Sequence, residues 1–184
     1  MKIQTGNSEQ APEGVHFARL LGITNMGHQP EWEWQGEMQP SSYQVELTYE
    51  LVNSAMKDGR PFVISESVKA SSSDKSTLFA RAQVLGIDVA AFAEGEGLGN
   101  PASVTVAHKN GKARINGKAG VTGVPVGIPV AELTNPTYFF DMDKEDVDVD
   151  YFLELPEWKR ERIQSALDFP ETPLAKKLAE RDQF

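Results

Sequence analysis

The chain has 184 residues, 40% of them hydrophobic and 24% charged, which suits one sizeable domain with an extension. It contains no cysteine, which excludes disulfides and thiolate metal sites. The net charge of -9 is unusual for a nucleic-acid binder, but residues 141–184 hold 13 acids and 7 bases, so most of the excess sits there and residues 1–140 are closer to neutral.

Residues 1–13 read as a flexible polar arm with no apolar stretch of the signal-peptide kind. No apolar run reaches the roughly 20 residues needed to span a bilayer. The run "GVHFARLLGITNMGHQ", residues 14–29, has the rhythm of a long strand interrupted by Gly22 and Gly27. Residues 30–42 read as a loop from their prolines, glycine and acids, and they carry Trp32 and Trp34. In "YQVELTYELV" the residues Tyr43, Val45, Leu47, Tyr49 and Leu51 alternate with Gln44, Glu46, Thr48 and Glu50, the pattern of a half-buried strand. Asp58-Gly59 marks a hairpin turn, and "PFVISESVKAS" returns as a third strand.

Ser73 or a neighbour is a plausible N-cap for a helix over about 74–85, with Leu78, Ala82 and Leu85 at helical spacing and Gly86 as the stop. A second short helix is expected over 88–92. "ASVTVAHKNGKARING" reads as a strand, an Asn110-Gly111 turn and a return strand. Residues 120–133 are apolar but broken by Pro125 and Pro129, so they suit an edge strand or a packed extended segment. Residues 141–150 are acidic, and "LPEWKRERIQSALDF" carries Trp158, Ile163 and Leu167 at the spacing of a short helix.

Three strands, a helix and two strands is the order of an all-β OB-fold-like barrel: five strands in Greek-key order, with one helix between strands three and four. The first strand of such a barrel bends sharply, and Gly22 and Gly27 suit that bend. A β-sandwich is the alternative. The expected organisation is an arm over 1–13, an OB-fold domain over 14–140, and a partly helical acidic extension over 141–184.

The segments "GVHFARLLGITNMGHQ", "YQVELTYEL", "GRPFVISESVKAS", "DKSTLFARAQVLG", "VTVAHKNGKARING" and "LPEWKRERIQSAL" together resemble a family of bacteriophage single-stranded DNA-binding proteins of replication and recombination modules. The resemblance implies an OB fold, action in the cytoplasm of an infected bacterium and no enzymatic activity. The stretch after the helix, "GIDVAAFAEGEGLG", departs from it by lacking Trp and basic residues.

Single-strand binders combine a basic groove for phosphates with aromatic faces for stacking. The basic candidates are Arg19, Lys69, Lys75, Arg81, Lys109, Lys112, Arg114 and Lys118, the last four crowding one acid-free hairpin. Trp32 and Trp34 are the sharper stacking candidates, although Glu31, Glu33 and Glu37 flank them; Tyr49 and Phe62 read as core. Asp141, Asp143, Asp146, Asp148 and Asp150, with the terminal Phe184, form an acidic segment closed by an aromatic, which suits docking of phage replication or recombination enzymes and competition for the DNA face. His16, His28 and His108 lack metal-ligand spacing, no lysine of a phosphate loop follows Gly95, Gly97 and Gly99, and no catalytic constellation is visible, so neither a cofactor nor an enzyme is expected. The rival reading is a β-domain interaction protein that binds a host or phage protein through its acidic surface.

Overall fold

The computed structural model describes residues 9–183. Phe184, a candidate for partner docking, lies outside the described residues, as does most of the arm.

A curled antiparallel sheet forms the body. The long strand β1 (Gly14–Gln29) is followed by a small hairpin, β2 (Trp32–Trp34) and β3 (Glu37–Gln39), then β4 (Ser42–Ala55) and β5 (Pro61–Lys69). Helix α1 (Thr77–Leu85) and a 3-10 turn (Val89–Glu94) lead to β6 (Pro101–Lys109) and β7 (Lys112–Ile115). The hydrogen-bonded order is β5-β4-β1-β6-β7. Strands β5 and β7 lie alongside each other at the open seam, with no ladder between them among the described residues. Two short strands finish the sheet: β8 (Val121–Thr122) beside β6, and β9 (Tyr138–Phe140) parallel to β1.

Strand β1 serves both halves of the sheet because it bends. Its pairing with β4 shifts register between Leu20 and Gly22 and again between Asn25 and Gly27. Both glycines meet a second demand. Tyr138 crosses β1 so closely that a β-carbon at Gly22 would lie 2.0 Å from its ring, and Gly27 takes a φ of 70° under Met142 and Ala166.

The inner row of β4, Val45, Leu47, Tyr49 and Leu51, packs with Leu20, Ile23, Val104 and Val106 into the first core. Leu78, Ala82 and Leu85 of α1 close one end of it. Burial of each such large apolar side chain contributes about 1.5–3 kcal/mol. The N-cap of α1 is Ser76, whose Oγ accepts from the Phe79 amide, and so the helix begins later than the serine run suggests. Gly86 ends it in the left-handed region at a φ of 72°.

Three segments differ from the sequence-based expectation. The loop after β1 is a true hairpin, closed by Gln35 and Gly36 at positive φ. Residues 9–13, expected to be part of a flexible arm, are tied to the sheet: Ala11 is buried, its carbonyl meets His108, and the Gln10 side chain bonds Gly111 and Ala113 at the β6–β7 turn. The proline-broken segment, by contrast, follows its expectation, with the two residues of β8 at the edge beside β6 and then an extended strap.

The largest difference lies in the C-terminal part. Helices α2 (Val149–Glu154), α3 (Glu157–Gln164) and α4 (Pro173–Arg181) form a second core around Phe140, Met142, Phe152, Ile163 and Leu174. Met26 of β1 belongs to this core, so the helices pack directly on the sheet.

Candidate nucleic-acid interface

The outward row of β4 shows why the sheet has one covered and one open outer face. Alternation puts Glu46, Thr48 and Glu50 on the side away from the first core, yet all three are buried. The strap and helix α3 meet the two carboxylates, and Thr48 bonds Ser65 of β5. Lys159 of α3 reaches Glu46 at 2.6 Å, with its ammonium also over the Tyr138 ring. Glu50 accepts from the backbone amides of Thr134 and Asn135 and from the Asn135 side chain.

Beyond this layer the outer face opens into a groove of about 670 Å³. Its floor includes Gln44 of β4 with Ser65 and Ser67 of β5, and Arg114 of β7 reaches it across the seam. Trp32 comes from the β2–β3 hairpin, and Trp158 and Arg162 from α3. The tryptophans are 46% and 56% exposed, enough to offer their faces to a ligand. Arg162 donates to Ser67 and to Gln44, both neutral acceptors, and makes no ion pair among the described residues. Among the described residues Arg114 makes no ion pair.

Three carboxylates line the same groove, but two are neutralised by buried cations: Glu46 by Lys159, and Glu66 by Arg81. Glu31 is the remaining acid against two arginines. The repulsion expected from the acids flanking the tryptophans is thus smaller than the sequence implies.

Two candidate phosphate contacts are removed by their surroundings. Arg81 is fully buried. Its guanidinium donates to both oxygens of Glu66 at 2.6 and 3.0 Å and to the carbonyls of Lys118 and Gly117. Burial opposes its charge, but the Glu66 hydrogen bonds and charge prevail and raise its pKa above the ordinary value. Burial and the same Glu66 push the Tyr49 phenol well above its usual range. Arg81 therefore ties α1 to β5 and to the chain after β7, riveting the open seam. Arg19 is likewise structural: it donates to the carbonyls of Gly99, Val130 and Ala131, holding the strap against β1.

The other basic candidates are exposed. Lys109 and Lys112 face each other across the β6–β7 turn. Lys69 and Lys75 line a separate cleft, and Lys118 donates to the Lys75 carbonyl beside it. Trp34 shares the hairpin with Trp32 and is 54% exposed, but lies outside the groove lining. Sequence reasoning missed Trp158 and Arg162 as site residues. Their signal lies in "EWKRER", where the cluster of bases beside Trp158 marks one helix as both aromatic and basic.

The acidic segment is held in the fold. Asn25 donates to Asp141 and Asp143, Asp148 caps α2, and Asp150 pairs with Arg181 at 2.7 Å. Asp141, Asp146 and Asp148 border a cavity of about 620 Å³ with Tyr138 and Tyr151. Burial there raises the Tyr151 pKa to about 12. The histidines bond separately, His16 to the Pro12 carbonyl, His28 to Ser41 and His108 to the Ala11 carbonyl.

The fold and site define a curled β-sheet body with an aromatic and arginine-lined groove on its outer face. Comparisons with protein-family models, curated proteins and solved structures find no match for this chain. Among the described residues, no helix is long and apolar enough to cross a membrane.

Proposed function

We propose that the protein binds single-stranded DNA with little sequence preference, as a non-enzymatic component of a phage replication or recombination module acting in the host cytoplasm. The observation that carries this reading is the convergence of Trp32, Trp158, Arg114 and Arg162 on one groove, from three separate elements, β2, β7 and α3. Aromatic faces stack on any base, and arginines meet the phosphates between them. The strand order supports an OB-type barrel, with β1, β4, β5, β6 and β7 as its five strands, α1 between the third and fourth, and β7 closing towards β5. On that assignment the β2–β3 hairpin and the β6–β7 turn are the two loops that flank the binding face of such barrels.

Titration of fluorescent poly-dT at several salt concentrations tests the reading. Each neutralised phosphate contributes about 0.7 to the log-log salt slope for a single strand. Binding that weakens steeply with salt and prefers single strands to duplex is expected. Salt-independent binding, or equal affinity for duplex, would overturn it.

The acidic cavity between Tyr138, Tyr151 and Asp146 favours a second reading, in which this face docks a basic protein partner. Such docking adds to DNA binding if both faces are occupied together, and replaces it if poly-dT does not bind.

A further inference from the structure

Lys69 and Lys75 stand apart from the tryptophan groove, yet the two sites are joined. Ser67 lines both the groove and the lysine cleft. Along β5 the residues Ser65, Ser67 and Lys69 form one exposed row, alternating with Ile64, Glu66 and Val68 on the other side. A strand advances about 3.3 Å per residue, so this row runs about 13 Å from the groove to the cleft.

The two cavities differ in kind. The groove has tryptophans and arginines. The cleft, of about 500 Å³, has neither an aromatic side chain nor a carboxylate in its lining, and so offers bases nothing to stack on. It offers two ammonium groups and several hydroxyls. The Lys118 ammonium joins them at the rim, donating to the Lys75 carbonyl at 2.7 Å. Ser71 and Ser73 each accept a backbone amide through Oγ, which leaves both O–H groups free to donate. Cations with hydroxyl donors and no carboxylate in the lining suit a phosphodiester backbone.

We propose that a bound single strand runs from the Trp32–Trp158 groove along β5 and lays its phosphates in the Lys69–Lys75 cleft. The site then has a stacking half and a phosphate half in series. This rests on the reading of the groove as a single-strand site. A single strand laid along this row places consecutive phosphates over it and carries the next ones into the cleft. Only an oligonucleotide long enough to fill the groove and continue past Ser67 reaches the lysines. Short strands would be held by stacking and the arginines, longer ones by both halves.

The test measures fluorescence-anisotropy titrations of dT oligonucleotides of about 4 and about 15 nucleotides, lengths that bracket the range for one OB fold. The proteins are the full chain, Lys69→Ala/Lys75→Ala, Lys69→Arg/Lys75→Arg and Trp32→Ala/Trp158→Ala. The double lysine-to-alanine change is expected to weaken the long oligonucleotide about tenfold at low salt and lower its salt slope by about 1.4, two phosphates at 0.7 each. It should change the short one less than twofold. The arginine variant should keep the slope, and an unchanged melting midpoint of each variant shows that the fold is intact. The tryptophan variant should weaken both lengths. Equal losses on the two lengths, or an unchanged slope, would overturn the two-part site. If the tryptophan variant then still loses affinity for both, the groove reading survives without its extension. If the unmodified chain binds neither length, both readings fall together.

Discussion

The two outer halves of the sheet use the same alternation for opposite ends. On β4 the outward row carries Glu46, Thr48 and Glu50, all buried, with helix α3 over Glu46 and the strap over Glu50. On β5 the outward row carries Ser65, Ser67 and Lys69, and it stays open. The covered half takes up carboxylates and gives each a partner, Lys159 for Glu46 and backbone amides for Glu50. The open half keeps its cations free. The strongly acidic composition is therefore compatible with a basic face, because part of the acid is turned inward and another part lies on the C-terminal layer. Net charge alone misjudges such a molecule.

The covered half should break first. Lys159→Ala leaves Glu46 buried without a cation and is expected to cost about 3–5 kcal/mol of stability, read by urea or thermal unfolding. Replacing the pair together, Glu46→Leu with Lys159→Met, should recover most of that loss, because neither buried charge remains. A double variant as unstable as the single one would show that α3 docks through this pair rather than through the second core.

The open half should show the reverse pattern, loss of binding without loss of stability. Trp158→Ala removes an exposed ring and is expected to cost about 1–3 kcal/mol of single-strand affinity, the range for one stacked base. Its melting midpoint should barely move. Trp34→Ala, outside the groove lining, should have a smaller effect on binding. Equal effects of the two substitutions would place the bases on the hairpin instead of in the groove. Arg114→Ala should lower the salt slope by about 0.7 with little effect on base preference. Arg81→Ala should do the opposite: it unfolds the seam and leaves the slope of any remaining folded protein unchanged.

The strands of the body were legible because each carries its own period of two. The turns were legible because Asp58-Gly59 and Asn110-Gly111 need the positive φ that Gly59, Asn110 and Gly111 adopt. The burial of Glu46, Glu50 and Arg81 was not. Glu46 and Glu50 sit in the alternate row of a strand, which reads as facing water, and their partners Lys159 and Thr134 lie far along the chain, while Arg81 sits on a short helix whose docking against Glu66 no local pattern specifies. The same distance hid the groove. Trp158 and Arg162 belong to a helix whose own pattern shows only an apolar stripe, and nothing local places that helix over β5. The start of α1 was misread for a local reason. Several serines precede it, each able to cap, and the choice of Ser76 is made by where Leu78 and Ala82 must meet the core.

The smallest effect is expected at Asp143, where the acidic layer carries a carboxylate without a cation. Its pKa is raised, first by burial and then by the charges of Asp141 and Asp168, while the Asn25 amide pulls it back. A carboxyl whose folded pKa lies above the unfolded value favours the fold while protonated. That contribution is fully present below the unfolded value and is lost as pH rises through the folded one. At neutral pH the ionised group therefore works against folding. Asp143→Asn removes the charge and keeps the shape, so it should raise the melting midpoint at pH 7 by roughly 1–2 °C, a small shift because the group is partly exposed and screened. Below the ordinary aspartate pKa both proteins are neutral at this position, and the difference should vanish. Added salt should shrink it at pH 7 as well, since the repulsion from Asp141 and Asp168 is screened. A lower midpoint for the variant at pH 7 would mean that the Asn25 hydrogen bond outweighs the repulsion, and that this part of the acidic layer is held as firmly as Glu46 and Glu50 on the covered sheet.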